Sequence, residues 1–434
     1  MCAPHHHRFT DLAAMLYVVL LLLCVSGVVC DAFTSVRGVS GDISHRTVGR
    51  TPTGAYARSL NITSTSQVFT WYSQTPANES EAESAFIIVH GVDRNANTYF
   101  RVLNNAWSHA RDEGIGSASN NSIRVAPMFF STTRDRRAYN TSHLAWADFN
   151  AWTAGEASTH PRGSGVSSFS VLDAMVRRFS NRRTYPKMKW ITFVAHGGGA
   201  QMLQRYAVLG MPNPAPARLS VRYVIGDPSS QLYFTPDRPV AVDTTSCPAW
   251  NDYRYGTRRY SSDYAALSNR NAADLFRTYA AREVRYIVGL NDTRTDEGDQ
   301  TCMAHAVGGP KRRNRNLAYW KYINLLAGTG ADLRNLPGTF PMLEGKDPQR
   351  NVPASTSAGA RRFKGAQLRH TLSVVENAGH SATKIYGSVQ GRNALFGEQA
   401  KSGGGDVPDL AQELVGYTAD AKGASNDVPD ESDE

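Results

Sequence analysis

The feature that most constrains this chain is a series of short, β-branched apolar runs, each stopping at a cluster of small and polar residues. Residues 67–71 (QVFTW), 85–89 (AFIIV), 123–130, 190–194 (WITFV), 221–225 (VRYVI), 284–288 (VRYIV) and 371–375 (TLSVV) read as strands. Continuous rather than alternating apolarity marks strands buried on both faces. Between them, 99–111, 167–179 and 200–209 carry apolar residues at helical spacing, with Ser168 or Ser170 as the expected cap of the second helix. Strands interleaved with helices imply an α/β fold with a mostly parallel sheet and helices on both faces. At 434 residues and 41% hydrophobic, the chain can build a large core and is not collagen-like, disulfide-dense or wholly disordered.

The flanks read differently. No charge falls between Asp11 and Asp31, and residues 12–29 are mostly apolar, with Arg8 and His5–His7 before them. Val28 and Cys30 stand at the −3 and −1 positions of a cleavage site before Asp31. Residues 1–30 are therefore expected to be a secretory signal, with an uncleaved membrane anchor as the alternative. If the signal is removed, no transmembrane helix is expected. A secreted, extracellular glycoprotein agrees with the sequons at Asn61, Asn78, Asn120, Asn140 and Asn291. Cleavage after Cys30 leaves only Cys247 and Cys302, which suits one disulfide, the alternative being two free buried thiols. Residues 31–53 read as a linker, 54–398 as the folded domain with a Gly/Pro/Arg-rich insertion near 328–363, and 399–434 as an acidic, disordered tail. The net charge of +9 combines a basic body with this acidic end, so extracellular glycans or other polyanions are possible partners.

In an open α/β sheet, sites form at the carboxyl ends of strands. The segments that follow the strands are His90-Gly91-Val92-Asp93-Arg94-Asn95-Ala96, Ala195-His196-Gly197-Gly198-Gly199, Gly226-Asp227-Pro228-Ser229-Ser230, Asn291-Asp292-Thr293 and Gly379-His380. In this order, from about Tyr56 to Phe396, they resemble the secreted α/β-hydrolase family of fungal-type and microbial serine esterases. The resemblance also implies a cysteine pair flanking the acid strand, here Cys247 and Cys302.

The resemblance assigns roles. In that family the order is nucleophile, acid, histidine. Asp292 matches the acid that orients the imidazole, and His380 matches the base. The nucleophile elbow, normally G-x-S-x-G, reads Ala195-His196-Gly197-Gly198-Gly199. The nucleophile position is Gly197, with no hydroxyl, thiol or carboxylate. The oxyanion donors would be the amides of Gly198 and of Val92 or Asp93. His196, at the x position, is expected to point away from the site. Gly197–Gly199 lacks the Lys and Ser/Thr of a phosphate loop. Trp146, Trp152 and Tyr72 are read as core or rim packing rather than groove lining. The clusters Arg134/Arg136/Arg137, Arg177/Arg178/Arg182/Arg183 and Lys311/Arg312/Arg313/Arg315 are read as solvated faces, not nucleic-acid contacts. No cofactor is expected, and no spacing suggests a metal site.

The leading expectation is thus a secreted esterase-like pseudoenzyme that keeps a pocket for a small acyl or ester ligand. The first alternative is a working ester hydrolase in which His380 activates water. The second is a surface-anchored adhesive or structural protein.

Overall fold

Eight strands form one sheet: β1 (Ala55–Asn61), β2 (Gln67–Ser73), β3 (Ser84–Val89), β4 (Ser122–Met128), β5 (Trp190–His196), β6 (Ser220–Gly226), β7 (Glu283–Gly289) and β8 (His370–Val375). Their spatial order is β1-β2-β4-β3-β5-β6-β7-β8. Only β2 runs against its neighbours; the other pairings are parallel. This is the α/β-hydrolase fold, a mostly parallel sheet with helices on both faces. The computed structural model describes residues 43–148, 150–210, 219–260, 264, 270–344 and 362–398. The expected signal (1–30) and acidic tail (399–434) lie outside the described residues.

The helices are α1 (Ala96–Asp112), α2 (Ser168–Phe179), α3 (Gly198–Leu209), α4 (Ala272–Ala280), α5 (Cys302–Ala306), α6 (Arg312–Ala327), α7 (Pro341–Glu344), α8 (Ala382–Gly387) and α9 (Val389–Phe396). One face of the sheet, with Phe86, Ile88, Val194, Val224 and Ile287, packs on Phe100 and Leu103 of α1 and on Ile385, Tyr386 and Leu395 of α8 and α9. The other face, with Ile87, Phe193, Ile225 and Val288, meets Leu172 of α2, Leu203 of α3 and Leu317 of α6. Each such Leu, Ile or Phe contributes about 1.5–3 kcal/mol by burial. Trp146, Trp152 and Tyr72 belong to that second cluster and are buried, so they pack the core.

Several local readings change. β1 was not expected because it is an edge strand with much of its length exposed, so it shows no apolar run. The cap of α2 is Ser167, whose Oγ accepts the Phe169 amide at 3.1 Å, while Ser168 is buried and donates to the Trp152 carbonyl at 2.6 Å. Arg312, Arg313 and Arg315 are not a solvated face: all three are buried on α6. Residues 43–53, the described part of the expected linker, lie against the body. There Arg94 donates to the Ile43 carbonyl, and His45 Nε2 lies 2.6 Å from the Asp93 carbonyl. In the expected insertion, Leu336 and Phe340 are buried in the core, and 345–361 lie outside the described residues. Cys247 and Cys302, 55 residues apart, form a disulfide that ties the segment after β6 to the start of α5. Among the described residues no helix is long and apolar enough to cross a membrane.

Candidate active site

β5 ends at His196, α3 begins at Gly198, and the whole change of direction falls on Gly197, at φ 59° and ψ −120°. A residue with a side chain is strained there, and glycine is not. The turn is fixed from both sides: the Gly197 amide donates to the Gly226 carbonyl at 3.0 Å, and the Gly197 carbonyl accepts the Gln201 amide at 3.1 Å. Gly199 lets α3 approach the end of β3, since a Cβ there would lie 2.3 Å from the His90 carbonyl oxygen.

Asp292 follows β7 and His380 follows β8, and the structure brings both to this turn. His380 Nδ1 lies 2.9 Å from Asp292 Oδ2. A Cβ on Gly197 would sit 2.9 Å from His380 Nε2, closer than normal contact. The ring therefore reaches into the space that a nucleophile's Cβ would fill. The side chain of Asp292 is 1% exposed and that of His380 is 27% exposed, so only the imidazole reaches solvent.

Asp292 is braced by a residue that sequence reasoning missed. Arg312 Nε lies 2.9 and 3.0 Å from the two carboxylate oxygens, and its Nη2 lies 2.8 Å from Oδ1. Burial alone would push the Asp292 carboxyl up, but His380 and Arg312 outweigh it and hold it well below the usual carboxylate range. Burial lowers the His380 imidazole, and the Asp292 charge only partly offsets this. At neutral pH the pair is therefore a neutral imidazole on an ionised carboxylate, the state a general base needs. An arginine within a basic run carries no local sign that it will be buried, so no sequence signal pointed to Arg312.

His196 corrects the sequence reading. Its ring centroid lies 4.4 Å from that of His380, inside the site. His196 shares strand parity with Val194, so it faces the side of the sheet covered by α8, where the loop carrying His380 also descends. Burial lowers the His196 imidazole to about 4. Asp227, just past β6, is fully buried at φ 44° and accepts the Gly289 amide at 3.1 and 3.3 Å. Burial, then the Asp292 charge, raises the Asp227 carboxyl well above its usual range. From the sequence, Asp227 is named only within the segment that follows its strand, with no role assigned.

The expected oxyanion donors also meet. A Cβ on Gly198 would lie 3.0 Å from the Val92 nitrogen, so the β3 loop and the elbow touch. Among the described residues no acceptor takes the Val92 amide. Arg94 holds this loop: it donates to the Val92 carbonyl at 2.8 Å and pairs with Asp135 at 2.8 Å, both of its ion-pair side chains fully buried. His90 is structural, accepting the Phe129 amide on Nε2 at 2.9 Å. The arrangement can orient a carbonyl oxygen and supply a base, and it has no side-chain nucleophile at the turn.

Two other features lie away from this turn. A cleft of about 580 Å³ is lined by Thr132, Arg136, Tyr139, Asn140 and His160, among others, and includes none of the residues above. Asn61, Asn78, Asn120 and Asn140 are exposed, while Asn291, beside Asp292, is half-buried.

No protein-family model and no curated protein matches the sequence. Among solved structures, the chain is similar to poly(aspartic acid) hydrolase-1 from Sphingomonas sp. KT-1, with 17% identity over 78% of this chain and 98% of that one and a TM-score of 0.49. It is also similar to LpqC, a poly(3-hydroxybutyrate) depolymerase from Bordetella parapertussis, with 14% identity over 76% and 86% and a TM-score of 0.47. An S-formylglutathione hydrolase from Agrobacterium tumefaciens gives 14% identity over 80% and 94%, with a TM-score of 0.35.

Proposed function

We propose that this chain is an esterase-like hydrolase-fold protein that has lost covalent serine chemistry and keeps the pocket for a small acyl or ester ligand. The observation that carries this reading is Gly197. The left-handed turn at the end of β5, the His380–Asp292 pair and the amides of Val92 and Gly198 meet there, yet no reacting side-chain atom is present. Paired backbone amides bind a carbonyl oxygen or small anion without a nucleophile. Removing the nucleophile of a triad costs on the order of 10⁶ in turnover. The wild-type protein is therefore inert to fluorophosphonate probes. Gly197→Ser gains slow labelling, because the new Cβ must first displace His380, and His380→Ala in that background removes the labelling. Labelling of the wild-type chain at ordinary rates overturns the proposal.

A second reading is favoured by the same dyad: a neutral imidazole held on a carboxylate can deprotonate water directly. Turnover of short p-nitrophenyl esters at ordinary enzyme rates, lost in His380→Ala, would establish that reading. For localisation we propose a secreted glycoprotein, supported by the disulfide and the four exposed sequons. A mass shift on enzymatic deglycosylation of the secreted protein checks it.

A further inference from the structure

The elbow carries a second set of groups that the serine reading does not use. His196, Asp227 and His380 come from the ends of β5, β6 and β8, and one potential ligand atom from each lies within 4.8 Å of the others. His196 is 2% exposed, and its Nε2 has no hydrogen-bond partner. The nearest carboxylate oxygen, on Asp227, is 3.5 Å away, beyond a good hydrogen bond. An orphaned imidazole nitrogen beside a fully buried carboxylate is costly as it stands.

We infer that His196, Asp227 and His380 bind a divalent transition-metal ion of the zinc class. Two imidazoles and one carboxylate are a donor set that zinc takes, leaving a fourth position for water or ligand. Ligands about 2.1 Å from a tetrahedral centre stand roughly 3.4 Å apart, so a bound ion would draw these atoms closer than their present spacing of up to 4.8 Å. The surroundings fit as well. His380 already commits Nδ1 to Asp292, which leaves its other nitrogen to ligate, and a carboxylate behind a ligating histidine is a recurrent support of zinc sites. Gly197 contributes by absence, since a Cβ there would lie 2.9 Å from His380 Nε2, the nitrogen left to ligate. The three ligands are 31 and 153 positions apart in the chain, which is why no sequence spacing announced them.

The inference rests on the reading that His380 has no serine partner, but it is tested separately. The full chain carrying His5→Ala, His6→Ala and His7→Ala, which silences the leader's own metal affinity, is dialysed against micromolar Zn²⁺. One ion per chain is expected, and Co²⁺ in its place gives the visible absorption of a low-coordinate histidine–carboxylate site. His196→Ala and Asp227→Asn each weaken binding at least about a hundredfold, and Asp292→Asn, acting through His380, weakens it about ten- to a hundredfold. Because buried variants can misfold, circular dichroism accompanies each, and the Co²⁺ spectrum of the otherwise native chain stands without them. Absence of stoichiometric binding, or unchanged binding in folded His196→Ala, overturns the inference. Fluorophosphonate labelling bears on the serine position alone, so the two failures are distinguishable.

Discussion

At the scale of single residues, the site divides by how its members reach it. Asp292 and His380 each follow an apolar strand directly, so strand order was enough to place them at one end of the sheet. Arg312, His196 and Asp227 were not legible. Arg312 arrives from α6 across the site, His196 depends on which face of β5 it occupies, and Asp227 resembles ordinary turn chemistry. The Arg312–Asp292 pair is almost wholly buried, with side-chain exposures of 2% and 1%. Removing one partner of a buried pair strands the other, at a cost of about 3–5 kcal/mol. Arg312→Ala is thus expected to lower the urea midpoint strongly, and a change within the range of surface substitutions would show that Asp292 is held by other means.

At the scale of elements, the buried strands were readable because continuous β-branched runs have few other uses. β1 escaped because half-exposed edge strands look like loops. α6 escaped because arginines line its buried sides, where Arg315 donates to the carbonyls of Ser229 and Asp299 at 2.8 and 2.6 Å. The contact between α3 and β3 is the one on which the site depends most. Gly199→Ala puts a methyl 2.3 Å from the His90 carbonyl oxygen and 2.7 Å from that of Val89, both rigid backbone. Overpacking of this kind costs about 1–3 kcal/mol. It also pushes the elbow away from Val92, so Gly197→Ser/Gly199→Ala is expected to label more slowly than Gly197→Ser alone. Equal labelling rates would mean that the donor pair tolerates the displacement.

At the scale of the whole molecule, stability answers to pH and to one covalent link. His90 and His370 are buried and neutral, with burial lowering them to about 3 and about 4. Both lie below the unfolded value of about 6.5, so their contribution is complete above that pH and is lost as the pH falls through it toward the folded values. Between pH 6.5 and 5 each removes about 2 kcal/mol. Asp237 works the other way. Burial raises it to about 6, above its unfolded value, so its contribution grows as the pH falls from 6 toward 4. Urea midpoints are expected to drop on acidification, and more steeply in Asp237→Asn. A flat profile would mean that carboxyls raised by burial, Asp227 among them, offset the two imidazoles. Reducing Cys247–Cys302 releases a 55-residue loop and costs about 4 kcal/mol in the chain-entropy model. Calorimetry with and without reductant measures that loss.

The position of His380 constrains what position 197 can carry. An imidazole that occupies the room a Cβ would fill makes glycine at position 197 hard to replace. A serine introduced there alone would press its side chain against His380 and would not be a poised nucleophile. A second change, in the loop that carries His380 or in the His196 ring tilted beside it, would have to accompany it. Whatever holds the ring in that space therefore also limits the residue at 197, so the two positions are coupled through one close approach.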